Sequence, residues 1–402
     1  MDDAIREIER ACERDARDGA SRLKLAQALV RAGRRREALE RLDLATMPDE
    51  HFDAGRKLAD ELWLPELRSL EVVRTIPCPR ALDVVIDETG TIGAFTETPG
   101  SMTSFLSLDD GAVRHRVKTR SVHGAAGRIF FEDSEERLGC VAVEKDGIAV
   151  RVGDSFSRTT PHQHFGILSV SPQGDLVAVS TPQGMSVLEW PGLAATFEHQ
   201  PPVGNDQCSY RVFVDWTARC IVAAMEDRFE PISFEGRTLA SFESDQWGSG
   251  SLGRGIFWDG TAVRELSSGR RLGLGLPHAH SWRMSLSSDD RGIRVALEGN
   301  GLRCEIDRRS WALAKKPSSS ALAGVPRELH YDASIAWHAH ADVFTSNVGA
   351  GRFELRTLAG EPIVRFADLS RPVGWFDGGH ALAVMRDGGA STARLEIWRG
   401  RV

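Results

Sequence analysis

The chain has 402 residues, 41% of them apolar and 27% charged, with a formal net charge of −7. That balance suits a globular protein with room for more than one core, and it disfavours a broad basic surface for nucleic acid. No run approaches the ~18 apolar residues of a membrane span, so neither nucleic acid nor a bilayer is an expected partner.

The first four residues, Met1-Asp2-Asp3-Ala4, are acidic and lack the apolar core of a secretory leader, which points to a cytoplasmic location. Ile5, Ile8 and Cys12 then fall on one stripe at i, i+3, i+7, the pattern of an amphipathic helix. A second helix carries Leu23, Leu25, Ala26 and Leu29 and closes at Gly33. A third carries Ala38, Leu39, Leu42 and Ala45 before Pro48, and a fourth carries Phe52, Leu58, Ala59 and Leu62, stopping before Pro65. Residues 1–68 are therefore expected to form a small helical domain. Its middle pair resembles a tetratricopeptide repeat. Leu25, Ala26 and Leu29 match that family's first-helix packing positions, and Ala38, Leu42 and Ala45 match the small-large-small positions of its second helix. The resemblance implies a helical unit that caps the rest of the chain or holds a partner in its groove.

From residue 69 to 402 the apolar period changes from 3.6 to 2, the period of strands. Ala-centred second strands return about every forty residues: Ile92-Gly93-Ala94-Phe95, Val141-Ala142-Val143, Leu176-Val177-Ala178-Val179, Val222-Ala223-Ala224, Val295-Ala296-Leu297 and Leu382-Ala383-Val384. Four-strand units at that spacing predict a mainly β fold, a β-propeller. The unit at 166–199 is the cleanest and the Gly-rich one at 249–276 the weakest. The last unit offers three strands, at 373–376, 381–385 and 393–398, while an orphan strand stands at 71–76. Pairing the two closes the ring and leaves no open edge. The count is eight blades, or seven if 249–276 is an insertion. Third strands ending Leu188-Glu189-Trp190 and Glu396-Ile397-Trp398 resemble those of WD-repeat-like propellers in degenerate form.

Six of the twelve histidines form three His-x-His pairs: His162/His164, His278/His280 and His338/His340. Residues two apart on a strand share a side, which is how paired imidazoles can reach one metal. The first two pairs precede matching inner strands, with Trp282 beside the second, and the third lies in a hairpin turn. Such separated pairs are expected to act as structural or interaction loop residues, with no shared metal. Six scattered cysteines without a C-x-x-C spacing read as small buried hydrophobes. No nucleophile elbow, phosphate loop or H-E-x-x-H motif is present, and no cofactor is expected.

A propeller hosts many functions, so function must be argued from sites. The sequence favours a non-catalytic scaffold or accessory subunit that binds protein partners, not an enzyme. The alternatives are a metal-dependent hydrolase or lactonase-like propeller, with Asp87 and Asp215 near its inner strands, and a propeller binding a small ligand or carbohydrate.

Overall fold

The computed structural model describes residues 2–401 except 15–17, 43, 45–46, 98–101, 136, 145–146, 156–165, 182–183, 201–210, 225–227, 244–250, 260–261, 274–284, 289–293, 300–301, 319–335, 339–340, 342, 350–351, 358–359, 368–369 and 387–391. Four helices come first: α1 (Asp2–Arg14), α2 (Gly19–Arg31), α3 (Arg35–Leu42) and α4 (Asp49–Arg68). Asp18 caps α2, its carboxylate accepting the Ser21 N–H at 3.1 Å. The helix ends where Gly33 takes φ +79°, with Gly33 N–H on Val30 O and Arg34 N–H on Leu29 O. Those two bonds satisfy carbonyls that the last turn leaves open, and glycine adopts the left-handed φ without strain. Leu25, Ala26, Leu29, Ala38 and Leu42 are all buried in one cluster.

One helix differs from the expectation. The fourth does not stop before Pro65 but runs through it to Arg68. A mid-helix proline removes one hydrogen bond and crowds the preceding turn, which costs about 3 kcal/mol. Tertiary packing outweighs that here: Trp63 and Leu67, on either side of Pro65, are both buried against residues of the β region. The extra turn is what brings Glu66 and Leu67 onto the rest of the molecule.

Among the described residues the strands form seven antiparallel sheets, called S1 to S7 in chain order. S1 is seven-stranded, from Asp83–Ile86 to Gly147–Ser155, and the others have four strands each. S2 spans 167–199, S3 211–243, S4 251–273, S5 285–318 and S6 336–365. S7 joins Ser370–Phe376, Ala381–Arg386 and Arg394–Arg399 to the early strand Glu71–Pro77. In that last pairing Glu71 lies opposite Arg399 and Pro77 opposite Arg394, with a bulge between Val72 and Arg74. The chain therefore meets itself in one sheet.

Sheets pack face to face through their second and third strands. Val177 and Leu188 of S2 meet Phe130 and Cys140 of S1, and Ala178 and Val187 meet Ile221 and Ala223 of S3. Val222 and Phe229 of S3 meet Phe257 of S4, and Trp258 of S4 meets Cys304 and Ile306 of S5. Leu395 and Phe376 of S7 return to Val84, Phe95 and Leu106 of S1. This succession is a β-propeller. Ala94, Ala178, Ala223 and Ala383 are buried at the centres of second strands, where a small side chain lets the neighbouring sheet approach. Within S1 the same contact recurs, Ile92, Ala94 and Phe105 lying on Ile129, Phe131 and Val141.

The helical segment packs on the sheets. Its core is continuous with Val343, Phe353 and Leu355 of S6 and with Leu382 and Val384 of S7. Among the described residues no helix is long and apolar enough to cross a membrane.

Candidate functional site

The turn between first and second strands is a polar, buried part of the sheets, because hairpin turns carry backbone N–H groups that need acceptors. Asp87, fully buried, accepts the N–H groups of Thr89, Thr91 and Ile92 at 3.0, 2.8 and 2.6 Å. Asp215 accepts from Ala218 at 2.9 Å and reaches across to Gly255 of the next sheet at 2.5 Å. Both carboxylates are thus engaged in holding backbone. Other turns use the same device: Asp133 takes the Glu135 and Arg137 N–H groups at 2.9 Å each, and Asp259 takes that of Ala262 at 2.7 Å.

These turns also tie one sheet to the next. Arg128 Nη1 donates to Gly174 O at 2.7 Å, linking S1 to S2. The Trp216 indole donates to Ser169 Oγ at 2.8 Å, linking S3 to S2. Arg308 donates to Arg254 O at 2.6 Å, linking S5 to S4, and the Asp377 N–H donates to Glu88 O at 3.0 Å, linking S7 to S1.

His338 makes the corresponding link between S6 and S7. It lies in the turn after strand Ala336–Trp337, and its Nε2 is 3.1 Å from Gly379 O in the inner turn of S7. A carbonyl can only accept, so Nε2 carries the proton. The ring is 2% exposed and stands edge-on to Trp63 of α4 and to Trp375 of S7, at centroid distances of 4.7 and 4.6 Å. His380 completes the junction: its Nδ1 is 2.7 Å from Glu66 Oε1 and its ring 4.5 Å from Trp63. Three elements thus meet at five side chains, Trp63, Glu66, His338, Trp375 and His380. Beside them Ser69 Oγ accepts the Arg401 N–H at 2.9 Å, and a Cβ on Gly400 would lie 2.5 Å from Glu66 O. His338 therefore pins backbone and packs indoles. The other candidates, His162, His164, His278, His280, Trp282 and His340, lie outside the described residues. Among the described residues no group of three His, Cys, Asp or Glu side chains is placed to hold a metal ion.

A second feature stays hidden while the repeats are aligned on the Ala of their second strands. Arg-x-Glu recurs at the start of third strands, as Arg228-Phe229-Glu230, Arg303-Cys304-Glu305, Arg352-Phe353-Glu354 and Arg394-Leu395-Glu396. In S6 the buried Glu354 takes Arg356 Nη2 at 2.8 Å on one oxygen and Arg365 Nε at 2.9 Å on the other. In S7 the buried Glu396 takes Arg394 Nε at 3.0 Å and Arg386 Nη1 at 3.4 Å. Each carboxylate contacts two guanidiniums. Aligning the units on their third strands exposes this signal.

Three of the thiols are held in the protonated form. Burial pushes Cys140 and Cys220 up to about 12 and Cys78 up to about 11, far from the thiolate form a nucleophile or ligand needs.

No family model matches the chain, and no curated protein does either. Solved structures do resemble it. The computationally designed Ika8 protein superposes with a TM-score of 0.53 at 12% identity, covering 83% of this chain and 99% of its own. The Cps50 (Swd1) β-propeller domain of Myceliophteria thermophila reaches 0.45 at 9% identity, covering 83% of this chain and 100% of its own. Dihydro-heme d1 dehydrogenase NirN, in complex with DHE, reaches 0.47 at 15% identity, covering 98% and 97%. Likeness at these identities speaks to fold alone.

Proposed function

We propose that this chain is a non-catalytic protein-binding scaffold, an accessory subunit of a larger cytoplasmic assembly. We count the ring as eight blades of degenerate WD-repeat-like type. Strand Val113–Ala125 pairs with Met102–Ser107 through its first half and with Arg128–Asp133 through its second, so S1 counts twice. The helical segment is read as a tetratricopeptide-like cap.

One observation carries this reading. The helices share a continuous core with S6 and S7, pinned by His338 and by the Glu66–His380 contact, so helices and sheets present adjoining surfaces. Such a frame suits recognition by surface loops. The inner-turn carboxylates favour it over the hydrolase reading, because Asp87 and Asp215 spend their oxygens on backbone N–H groups.

The test is cross-linking of the tagged full chain at native abundance, followed by size analysis and mass spectrometry. A stoichiometric partner, lost on surface substitution and retained at moderate salt, is the expected result. A chain that runs alone in extracts, or that turns over an ester or lactone at a rate tied to a bound metal, overturns the proposal.

A further inference from the structure

The two Arg–Glu–Arg clusters lie at one end of their sheets. Arg352 and Arg394 open third strands, Arg365 ends a fourth and Arg386 ends a second. The clusters sit on opposite sides of S6. Phe353 and Leu355 face the core shared with S7, so Glu354, between them on the strand, faces away from it. Glu396 pairs with Val384, which belongs to that core, so its cluster faces S6 from S7. Arg365 is 77% exposed at its side chain, and Arg386 and Arg394 are 37% and 41% exposed. Arg371, at the same end of S7, is exposed and held by Leu82 O at 2.9 Å.

We propose that this end of S6 and S7 is a docking surface for an acidic protein segment, one carrying several carboxylates along an extended chain. The proposal rests on the scaffold reading above and names the chemistry of its partner. Two features make the surface fit. The buried carboxylates hold the guanidiniums in place, so less side-chain freedom is lost when they bind an anion. Their remaining donors match a carboxylate in the planar, paired geometry that arginine offers. The span selects the ligand class. A single small anion reaches one cluster, whereas a segment with spaced carboxylates reaches both sides of S6. The chain as a whole carries −7, which repels a polyanion as long as nucleic acid, while a short acidic stretch feels chiefly the local arginines.

The test uses the full chain and a fluorescein-labelled poly-glutamate peptide, followed by anisotropy across a salt series. Saturable binding that weakens as salt rises is the expected result. Replacing Arg365, Arg386 and Arg394 together by Gln should weaken it at least ten-fold, while Arg114→Gln, in another sheet, should leave it unchanged. Because Arg386 and Arg394 together hold Glu396, the single variant Arg365→Gln, which leaves Arg356 on Glu354, is measured beside the triple and should weaken binding several-fold with an unchanged melting temperature. Peptide binding that is absent, or equally tight in both variants, overturns the proposal. So does a single-stranded oligonucleotide that binds more tightly than the peptide. A partner cross-linked equally by wild type and triple variant would sink the docking surface and leave the scaffold standing. A chain that captures no partner while still binding the peptide would sink the scaffold and leave the acidic-segment site standing.

Discussion

At the scale of single residues, the informative case is His338, the member of the three His-x-His pairs that lies among the described residues. The His-x-His spacing picks out His338 without revealing its role, because the role depends on Gly379, Trp63 and Trp375, all distant in the chain. His338→Ala should lower stability by about 3 kcal/mol, combining a lost buried bond with a cavity between two indoles. His338→Phe keeps the ring and should lose only about 1 kcal/mol. Urea denaturation measures both, and a His338→Phe variant as stable as wild type would mean that the bond to Gly379 is immaterial. Two other histidines bear on pH. Burial lowers the pKa of His123, and burial also lowers that of His199 against an opposing pull from Glu230. A lowered folded value means that the unfolded chain takes up the proton first. Their contribution is therefore intact above about pH 6.5 and lost as the pH falls through the folded value. His123→Gln should flatten the melting temperature between pH 7 and pH 5, about the range of histidine titration. An unaltered slope would mean that His123 does not titrate on unfolding. The thiols give a sharper readout. Cys78, Cys140 and Cys220 should resist alkylation near pH 8 until denaturant is added, since a raised pKa and burial both remove the reactive thiolate. Peptide mapping that finds any of them labelled in the folded protein would contradict their placement.

At the scale of elements, periodicity carried most of what could be read. The amphipathic stripe of α1, the stop at Gly33 and the alternation of the strands follow from local chemistry, and local chemistry is what a sequence displays. The paired edge of S7 was legible for a related reason: three strands without a fourth leave an edge, and strand Glu71–Pro77 fills it. The end of α4 was not legible. Proline is a strong local stop, and only contacts across the molecule keep the helix going through Pro65 to the junction. Gly400 marks how tight that junction is. Gly400→Val should force α4 away from the last strand, because its Cβ would meet the backbone carbonyl of Glu66, which cannot yield as a side chain could. A fall in melting temperature of several degrees is expected, about what a loss of 1–2 kcal/mol produces in a domain this large. Tryptophan fluorescence should shift as well, since Trp63 lies beside Glu66. A variant with wild-type melting and emission would show that the close approach is relaxed in solution.

At the scale of the molecule, the decisive fact is that the helical segment lacks a core of its own that stops at residue 68. Ile5, Leu25, Ala38 and Trp63 belong to the same cluster as Phe353 of S6 and Leu382 of S7. In the sequence the two parts look separate because composition and period change between them, and those signals report local conformation, not which surfaces meet. Shared burial has a mechanical consequence. If helices and sheets are one unit, a cavity cut on the propeller side must loosen helices that the substitution never touches in sequence. Phe353→Ala should remove about 3–5 kcal/mol of packing. Hydrogen exchange should then quicken in α4, in peptides covering Trp63 to Leu70, as well as in S6 itself. In S3, whose core is built from Cys220, Val222 and Phe229, exchange should stay as slow as in wild type. The contrast separates coupling from general destabilisation, because unfolding of the whole chain would raise exchange in S3 too. Faster exchange confined to S6, with α4 unchanged, would mean that the helices hold themselves together and that the common core is a contact between two independent units.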